Sequence, residues 1–214
     1  MQLAIFDLDG TITRHDTLVP YVFGFLSRHP WRLPRLLGVI PALVRYLFRR
    51  DRGELKSALI RSALGGISRS QLDLWNSEFV PALIARGTFR QALEHIAEHD
   101  RAGDVLVLMS ASPDFYVPAI AAELGFGETI CTGVRWNGDR LDGALTTPNR
   151  RGAEKTRCLE SLRNRHAGLE TTAYANAASD LDHLTRSTRG VFVNAPPGAR
   201  RHAASWGIRC VSWH

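Results

Sequence analysis

Two aspartates near the N-terminus, Asp7 and Asp9, follow the apolar segment QLAIF within the sequence FDLDGT. Side chains two positions apart on an extended segment point to the same side, so we expect the two carboxylates to lie together. Neighbouring carboxylates repel each other unless a cation or a shared proton relieves them. Gly10 allows a sharp turn, and Thr11 adds a hydroxyl. The plainer alternative is a strand that ends in a polar turn, where Asp and Gly are common.

Polar side chains also follow later predicted strands or begin predicted helices. Ser110 comes directly after the apolar segment DVLVLM, and Lys155 lies near the start of a helix. Asn176 and Asp180 follow a further strand and offer the oxygen ligands that hard cations such as Mg²⁺ prefer. Ligands collect beyond the carboxyl ends of parallel strands, so Ser110 and Asp7 should face one crevice. Taken singly, each residue is equally typical of a turn, a helix cap or an exposed lysine.

The segments that must position these residues fall into two blocks. From Asp16 to about Gly87 almost every segment has helical periodicity, whereas strands and helices alternate later in the chain. Such alternation predicts a parallel, doubly wound sheet. We therefore predict an α/β fold with its core in residues 1–12 and 89–214. An all-helical cap, residues 13–88, is inserted after the first strand.

Local signals predict where several elements begin, bend or turn. Short polar side chains cap helices, proline breaks them, and Asn-Gly favours hairpins. We predict a cap at Asp16 for a helix over 17–28, and a kink or division at Pro41 in a helix over 34–50. Capping boxes are predicted at Ser68 with Gln71 and at Thr88 with Gln91, and a further helix cap at Ser112. Strands 130–136 and 140–145 are predicted to form a hairpin around Asn137-Gly138.

The order of these motifs is more specific than any one of them. Asp-x-Asp-Gly-Thr, then Ser, Lys and Asn-x-x-x-Asp, resembles the haloacid dehalogenase-like superfamily in its phosphoserine-phosphatase-related branch, subfamily IB. The resemblance covers essentially the whole chain, including SASPDFYVPAIAAELGF, PNRRGAEK and VFVNAPPGARRHAASWGI. It implies a Mg²⁺-dependent phosphatase that hydrolyses phosphomonoesters through an aspartyl-phosphate.

The resemblance also implies a role for each site residue. Asp7 is the implied nucleophile, and Asp9 the acid that protonates the leaving group and later activates water. The implied substrate- and phosphate-binding residues are Thr11, Ser110, Ala111 and Lys155. The implied Mg²⁺ ligands are Asp7, the Asp9 main-chain carbonyl, Asn176 and Asp180.

Asn176 departs from the family pattern, which usually has a metal-binding aspartate at this position. An amide oxygen still coordinates a cation but brings no charge. We expect Mg²⁺ affinity to be weakened by roughly 10–100-fold, unless Asp180 compensates directly or through a water. The alternative function is a catalytically impaired protein that only binds phosphorylated ligands.

Residues 28–50 of the predicted cap combine a long apolar stretch with six arginines. That composition is typical of a segment lying in a membrane interface, and predicts peripheral contact with an anionic membrane. The more ordinary interpretation is a cap helix that packs its apolar side on its neighbours. In this superfamily the cap usually sets substrate choice. The resemblance implies that the substrate is either a small phosphorylated metabolite, such as phosphoserine, or a lipid headgroup phosphate. Arg14 and Asp16 are the candidates for binding the carboxylate and ammonium of phosphoserine.

Bulk composition bounds the remaining possibilities. The net charge of +6 suits an anionic ligand, but the arginine pairs are scattered without an aromatic platform, so we do not expect nucleic-acid binding. The three cysteines are widely spaced and lack a CxxC pair, which favours reduced thiols in a cytoplasmic protein. The first ten residues do not resemble a signal peptide, and no apolar stretch is long enough to span a bilayer.

One further pattern, HIAEH at residues 95–99, matches a zinc-peptidase motif. Helical periodicity places His95 and His99 opposite the apolar stripe of their helix. We therefore expect both histidines to face solvent and do not expect a zinc site.

Overall fold

The computed structural model describes residues 1–214 as eight strands, nine α-helices and two 3₁₀ segments. The strands are β1 (Leu3–Phe6), β2 (Val105–Pro113), β3 (Glu128–Thr132), β4 (Val134–Asn137), β5 (Arg140–Leu145), β6 (Thr171–Ala175), β7 (Arg189–Val193) and β8 (Arg209–Val211). The helices are α1 (Leu18–Arg28), α2 (Ile40–Arg49), α3 (Arg52–Leu64), α4 (Arg69–Gly87), α5 (Arg90–Arg101), α6 (Val117–Glu123), α7 (Ala153–Arg165), α8 (Leu181–Arg186) and α9 (Pro197–Ser205). The 3₁₀ segments are Pro30–Val39 and Ala178–Asp180.

Six parallel strands form the central sheet in the order β3-β2-β1-β6-β7-β8. The first strand lies in the middle, where Leu3 is opposite Val105 on one side and Thr171 on the other. The chain thus adds strands to one side of β1 and later to its other side. Ligands of doubly wound sheets bind at such a switch point, beyond the carboxyl ends of the strands.

Both faces of this sheet are buried, because alternate side chains of each strand enter different apolar clusters. In β1, Ala4 and Phe6 belong to the larger cluster, which includes side chains of α1, α3 and α4. Leu3 and Ile5 belong to the second cluster, which includes side chains of α7, α8 and α9. The prediction of a doubly wound α/β core is confirmed.

The helical block α1–α4 follows the first strand, which confirms an all-helical cap. Its predicted caps are present: the Asp16 carboxylate accepts N–H groups of Leu18 and Val19, and Ser68 with Gln71 forms a reciprocal capping box. The β4–β5 hairpin also contacts this block, since the Ser57 hydroxyl donates to the Gly143 carbonyl at 2.9 Å. The limits of 13–88 for the cap, and of 1–12 and 89–214 for the core, stay predictions.

The helix predicted over 34–50 is divided as expected near Pro41, which lies in the first turn of α2. A 3₁₀ segment precedes it. The interpretation that this region packs its apolar side on its neighbours is wrong: α2 buries only Ala42, and the 3₁₀ segment has no buried residue. No helix in the chain combines the length and the apolarity needed to cross a lipid bilayer.

Two predicted helix caps are wrong, because each side chain has a different tertiary partner. The Thr88 hydroxyl donates to the Ile84 carbonyl of the preceding helix, and Gln91 makes no cap bond at the start of α5. Ser112 lies within β2, which runs four residues beyond the end of the predicted strand DVLVLM, and its hydroxyl donates to the Asp9 carboxylate at 2.6 Å.

Two further predictions need correction in the second block. The strand predicted over 130–136 is two strands: β3 pairs with β2 in the central sheet, and only β4 forms the hairpin with β5. His99 does not face solvent, because its ring lies buried between the Asp104 carboxylate at 2.7 Å and the Tyr174 hydroxyl at 2.9 Å.

Candidate active site

The Asp7 carboxylate lies immediately beyond the carboxyl end of the central strand. The main-chain N–H of Asp7 continues the sheet by donating to the Tyr174 carbonyl at 2.9 Å. Its side chain is buried, with Oδ1 2.7 Å from the Lys155 ammonium and Oδ2 accepting from the Thr11 hydroxyl at 3.3 Å. Burial raises the pKa of Asp7 to about 6, although the Lys155 ammonium opposes the rise.

Lys155 reaches this carboxylate from the first turn of α7. Gly152, with φ +58°, turns the chain into that helix. The Lys155 ammonium is buried and also contacts the Asp180 carboxylate at 3.0 Å. Burial alone would lower the pKa of Lys155, but the two carboxylates outweigh it and raise the pKa. The lysine is therefore a fixed cation at the bottom of the site.

Asn176 brings the loop after β6 against the loop after β1. Gly10 has φ +77°, and a Cβ at this position would lie 2.0 Å from Asn176 Nδ2. The Thr11 hydroxyl lies 3.5 Å from Asn176 Oδ1 and 3.3 Å from an Asp7 oxygen. The backbone turn at Gly10 thus makes room for the Asn176 amide beside the nucleophile candidate.

Asp9 has different partners from Asp7, although both line the same cavity. Asp9 Oδ1 accepts from the Thr17 N–H and hydroxyl, each at 2.7 Å, and Oδ2 accepts from the Ser112 hydroxyl. Burial raises the pKa of Asp9, and these hydrogen bonds oppose the rise. The two carboxylates therefore share a cavity, but separate sets of donors hold them.

Ser110 and Ala111 lie where the strand β2 passes the cavity. The Ser110 side chain is fully buried, and its hydroxyl oxygen accepts from the Ser112 N–H at 3.0 Å. Ala111 lines the cavity, whereas Ser110 does not. The structure thus brings all the sequence-predicted residues to one region, with Ser110 and Thr11 behind the cavity wall.

The cavity has a volume of about 410 Å³, and its lining carries five cationic and four carboxylate side chains. The cations that line it besides Lys155 are Arg14, Arg52, Lys56 and Arg151. Sequence reasoning missed Lys56, which extends from α3 so that its ammonium lies 2.5 Å from the Ala111 carbonyl and 2.6 Å from Asn149 Oδ1. Burial lowers the pKa of Lys56 to about 8. No local pattern distinguishes this lysine from an exposed helical one.

The donors near Asp7 fit a hard cation. No group of three or more His, Cys, Asp or Glu side chains that could hold a metal ion is present. A cation at Asp7 would depend on a mixed set of oxygens, from the Asp7 carboxylate, the Asn176 amide and the Asp9 main-chain carbonyl. Such an all-oxygen set suits Mg²⁺. The Asp180 carboxylate is paired with Lys155, and its role as a ligand stays a prediction.

Comparison with known families agrees with this arrangement. The family model of the haloacid dehalogenase-like hydrolases matches residues 4–185. The chain belongs to this family. The match includes every predicted site residue of this haloacid dehalogenase-like hydrolase and confirms the resemblance that its motifs indicated.

Individual relatives extend the comparison. Protein CicA of Caulobacter vibrioides is 33% identical over 189 residues, which cover 85% of this hydrolase and 81% of CicA. A crystal structure of a protein with unknown function from Bordetella pertussis Tohama I has a TM-score of 0.79 at 23% identity, covering 98% of this chain and 97% of that one. A phospho-aspartyl intermediate analogue of phosphoserine phosphatase has a TM-score of 0.66 at 15% identity, covering 98% and 92%. At these identities the two structures show a shared fold.

Proposed function

We propose that the protein is a Mg²⁺-dependent phosphomonoester hydrolase that acts through an aspartyl-phosphate on Asp7. The observation that carries the proposal is the buried Asp7 carboxylate, which lies 2.7 Å from the Lys155 ammonium and lines a cavity that five cationic side chains share. A carboxylate in such a place is poised to attack an electrophile that carries negative charge. Membership of a hydrolase family with phosphoserine phosphatases among its structural neighbours supports this reaction type.

The first step forms a bond between an Asp7 oxygen and phosphorus while the bond from phosphorus to the ester oxygen breaks. Lys155 keeps Asp7 ionised and neutralises phosphoryl oxygens that approach it. Thr11 donates to the other Asp7 oxygen and so fixes the carboxylate. Bound Mg²⁺ supplies the charge that allows two anions to come together. Water then attacks the phosphorus of the acyl phosphate, the bond between phosphorus and the Asp7 oxygen breaks, and phosphate is released.

Asp9 is the proposed proton carrier. It protonates the departing alkoxide in the first step and accepts a proton from water in the second. Its raised pKa favours the protonated form that the first step needs. The hydroxyls of Thr17 and Ser112 hold the carboxyl group at the cavity.

The cavity lining supports a small substrate with negative charge beyond its phosphate. Arg14, Arg52 and Arg151 line the cavity in addition to the two lysines. Phosphoserine, another acidic metabolite and a lipid headgroup phosphate all meet this condition. Arg14 and Asp16, both in the lining, are the pair proposed for a substrate with a carboxylate and an ammonium. Steady-state rates with a panel of these substrates distinguish the classes. A cytoplasmic location is part of the proposal, and the three free cysteines support it.

A catalytically impaired phospho-ligand binder is the second candidate, and Asn176 is the observation that favours it. Replacing an aspartate ligand by a neutral amide weakens a divalent-cation site. The two candidates differ in a single readout, the release of phosphate at saturating Mg²⁺.

The test is hydrolysis of an aryl phosphate with excess Mg²⁺, with EDTA, and in Asp7→Asn. We expect EDTA to abolish the rate and Asp7→Asn to lower it by about 1,000-fold or more, since the nucleophile is lost. Asp73→Asn is the matched control, because this aspartate is exposed and lies outside the cavity. Activity that survives both EDTA and Asp7→Asn refutes the mechanism. Ligand binding without any turnover in the wild type supports the impaired binder.

A further inference from the structure

The helix α2 turns its apolar side to solvent. Helical spacing places Ile40, Leu43, Val44, Leu47 and Phe48 on one side, and each of these side chains is exposed. Phe48 is 83% exposed. The opposite side carries Ala42, the only residue that the helix buries. An amphipathic helix of a globular protein normally has the reverse orientation.

The 3₁₀ segment before this helix extends the apolar surface through Trp31, Leu33 and Leu37, which are also exposed. Ten of the thirteen large exposed hydrophobic side chains of the protein lie within residues 19–48. We call the eight exposed side chains of the 3₁₀ segment and α2 the outer apolar face. Exposed apolar surface concentrated in this way marks an interaction site.

The charge around the outer apolar face has one sign. Residues 17–50 contain six arginines and no aspartate or glutamate. Arg35, Arg49 and Arg50 are exposed and make no ion pair in the structure. The partner of this face therefore combines an apolar interior with a negatively charged surface.

We propose that the outer apolar face binds the surface of an anionic lipid membrane. Leu, Trp and Phe side chains enter the boundary between headgroups and acyl chains, and the arginines contact the lipid phosphates. A second copy of the chain fits less well, because an isologous contact would bring like-charged arginines together. Contact is peripheral, in keeping with the shortness of α2.

The outer apolar face is fastened to a helix that also lines the candidate active site. Arg32 donates to the Ala63 and Gly65 carbonyls at the end of α3, and Arg45 pairs with Glu54 near its start. The same helix directs Lys56 into the cavity. Membrane binding would thus place the cap, and with it the candidate active-site cavity, near anionic headgroups. The inference itself does not depend on phosphatase activity.

Co-sedimentation with vesicles tests the proposal directly. The wild type is mixed with phosphatidylcholine vesicles or with vesicles containing phosphatidylglycerol. We expect binding to the anionic vesicles that weakens as salt rises. The double variant Leu37→Ser with Phe48→Ser should weaken binding by at least about tenfold, since two apolar side chains no longer enter the lipid. The matched control is Leu74→Ser with Trp206→Ser, which removes comparably exposed apolar side chains elsewhere and should bind like the wild type.

Charge is tested by a second matched pair. Arg49→Gln with Arg50→Gln should weaken binding to the anionic vesicles by roughly tenfold. Arg200→Gln with Arg201→Gln removes an equal charge from α9 and should not. The proposal is overturned if the wild type does not sediment with anionic vesicles, or if the control variants lose as much binding as the test variants. It is also overturned if light scattering shows a concentration-dependent dimer that Leu37→Ser with Phe48→Ser abolishes while vesicle binding persists.

Because the vesicle assay measures no turnover, Asp7→Asn should bind as the wild type does. If vesicle binding fails while phosphatase activity is normal, only the membrane-binding proposal is rejected. Binding that succeeds in a protein without activity rejects only the proposed function.

Discussion

Replacing Asn176 by aspartate restores the charge that the family pattern usually has at the cation site. The Asn176 and Asp7 oxygens lie within 3.5 Å of the same Thr11 hydroxyl, which keeps them less than about 7 Å apart. Two carboxylates at that separation repel by about 2 kcal/mol at an effective dielectric constant of 20. A bound divalent cation converts this repulsion into attraction. Asn176→Asp should therefore destabilise the metal-free protein and strengthen Mg²⁺ binding.

The assay is a Mg²⁺ titration of aryl-phosphate hydrolysis, together with thermal unfolding with and without Mg²⁺. We expect the half-saturating Mg²⁺ concentration to fall by about 10–100-fold. The melting temperature should fall without Mg²⁺ and recover with it. Asn149→Asp is the matched control, because it adds the same charge to the cavity beside Lys56 and away from Asp7. An unchanged Mg²⁺ titration in Asn176→Asp would show that Asn176 is not a ligand.

Three more predictions follow from the geometry. Gly10→Ala should lower the free energy of unfolding by about 1–2 kcal/mol because the residue has a positive φ. It should also raise the Mg²⁺ concentration needed for activity, because the new Cβ displaces the Asn176 amide. A normal Mg²⁺ titration would contradict this. Lys56 has a pKa of about 8, so the KM of the wild type for an anionic substrate should rise above that pH as the ammonium loses its proton. Lys56→Met should have a higher KM at pH 7 and no such rise, and an identical pH profile would exclude a role for Lys56. Burial lowers the pKa of His183 from 6.5 to about 4. As the pH drops below 6.5, this histidine is therefore protonated in the unfolded state before it is protonated in the folded state, and the free energy of unfolding falls. Urea unfolding should show that the wild type loses about 2 kcal/mol more than His183→Gln between pH 7 and pH 5, and equal losses would refute this.

The positions of Asp7 and Asn176 were predictable because sheet topology dictates them. Each residue follows a short apolar strand, and parallel neighbours end at the same edge of a sheet. The order of the motifs was enough to bring Lys155 to the same place. These relations depend on backbone connectivity, which the pattern of strands and helices indicates well.

Side-chain partners across the fold were less predictable. Ser112 has the local sequence of a helix cap, but the strand continues through it and its hydroxyl binds Asp9 instead. His99 lies on the polar side of its helix, yet Asp104 and Tyr174 satisfy both ring nitrogens inside the protein. In each case a segment distant in the sequence provides a hydrogen-bond partner of the side chain, and this interaction overrides the preference that the local sequence indicates.

The outer apolar face shows a limit of periodicity itself. Spacing in residues 40–49 indicates that one side of α2 is apolar, but it does not indicate which side meets the protein. The side that carries Ala42 meets the protein, and Arg45 pairs with Glu54 of the next helix. Sequence patterns therefore suggested both interpretations of this segment, and its packing excludes the one in which the apolar side meets the protein.

The central claim, a covalent phosphate on Asp7, is tested most directly in Asp9→Asn. An activated aryl phosphate needs no acid to release its phenolate, so the first step should still occur, whereas breakdown of the acyl phosphate needs the missing base. With Mg²⁺, rapid-quench measurement should give a stoichiometric burst of phenolate, and peptide mass spectrometry should find the phosphate on Asp7. A burst that persists in the double variant Asp7→Asn with Asp9→Asn, or phosphate bound at another residue, would contradict the account.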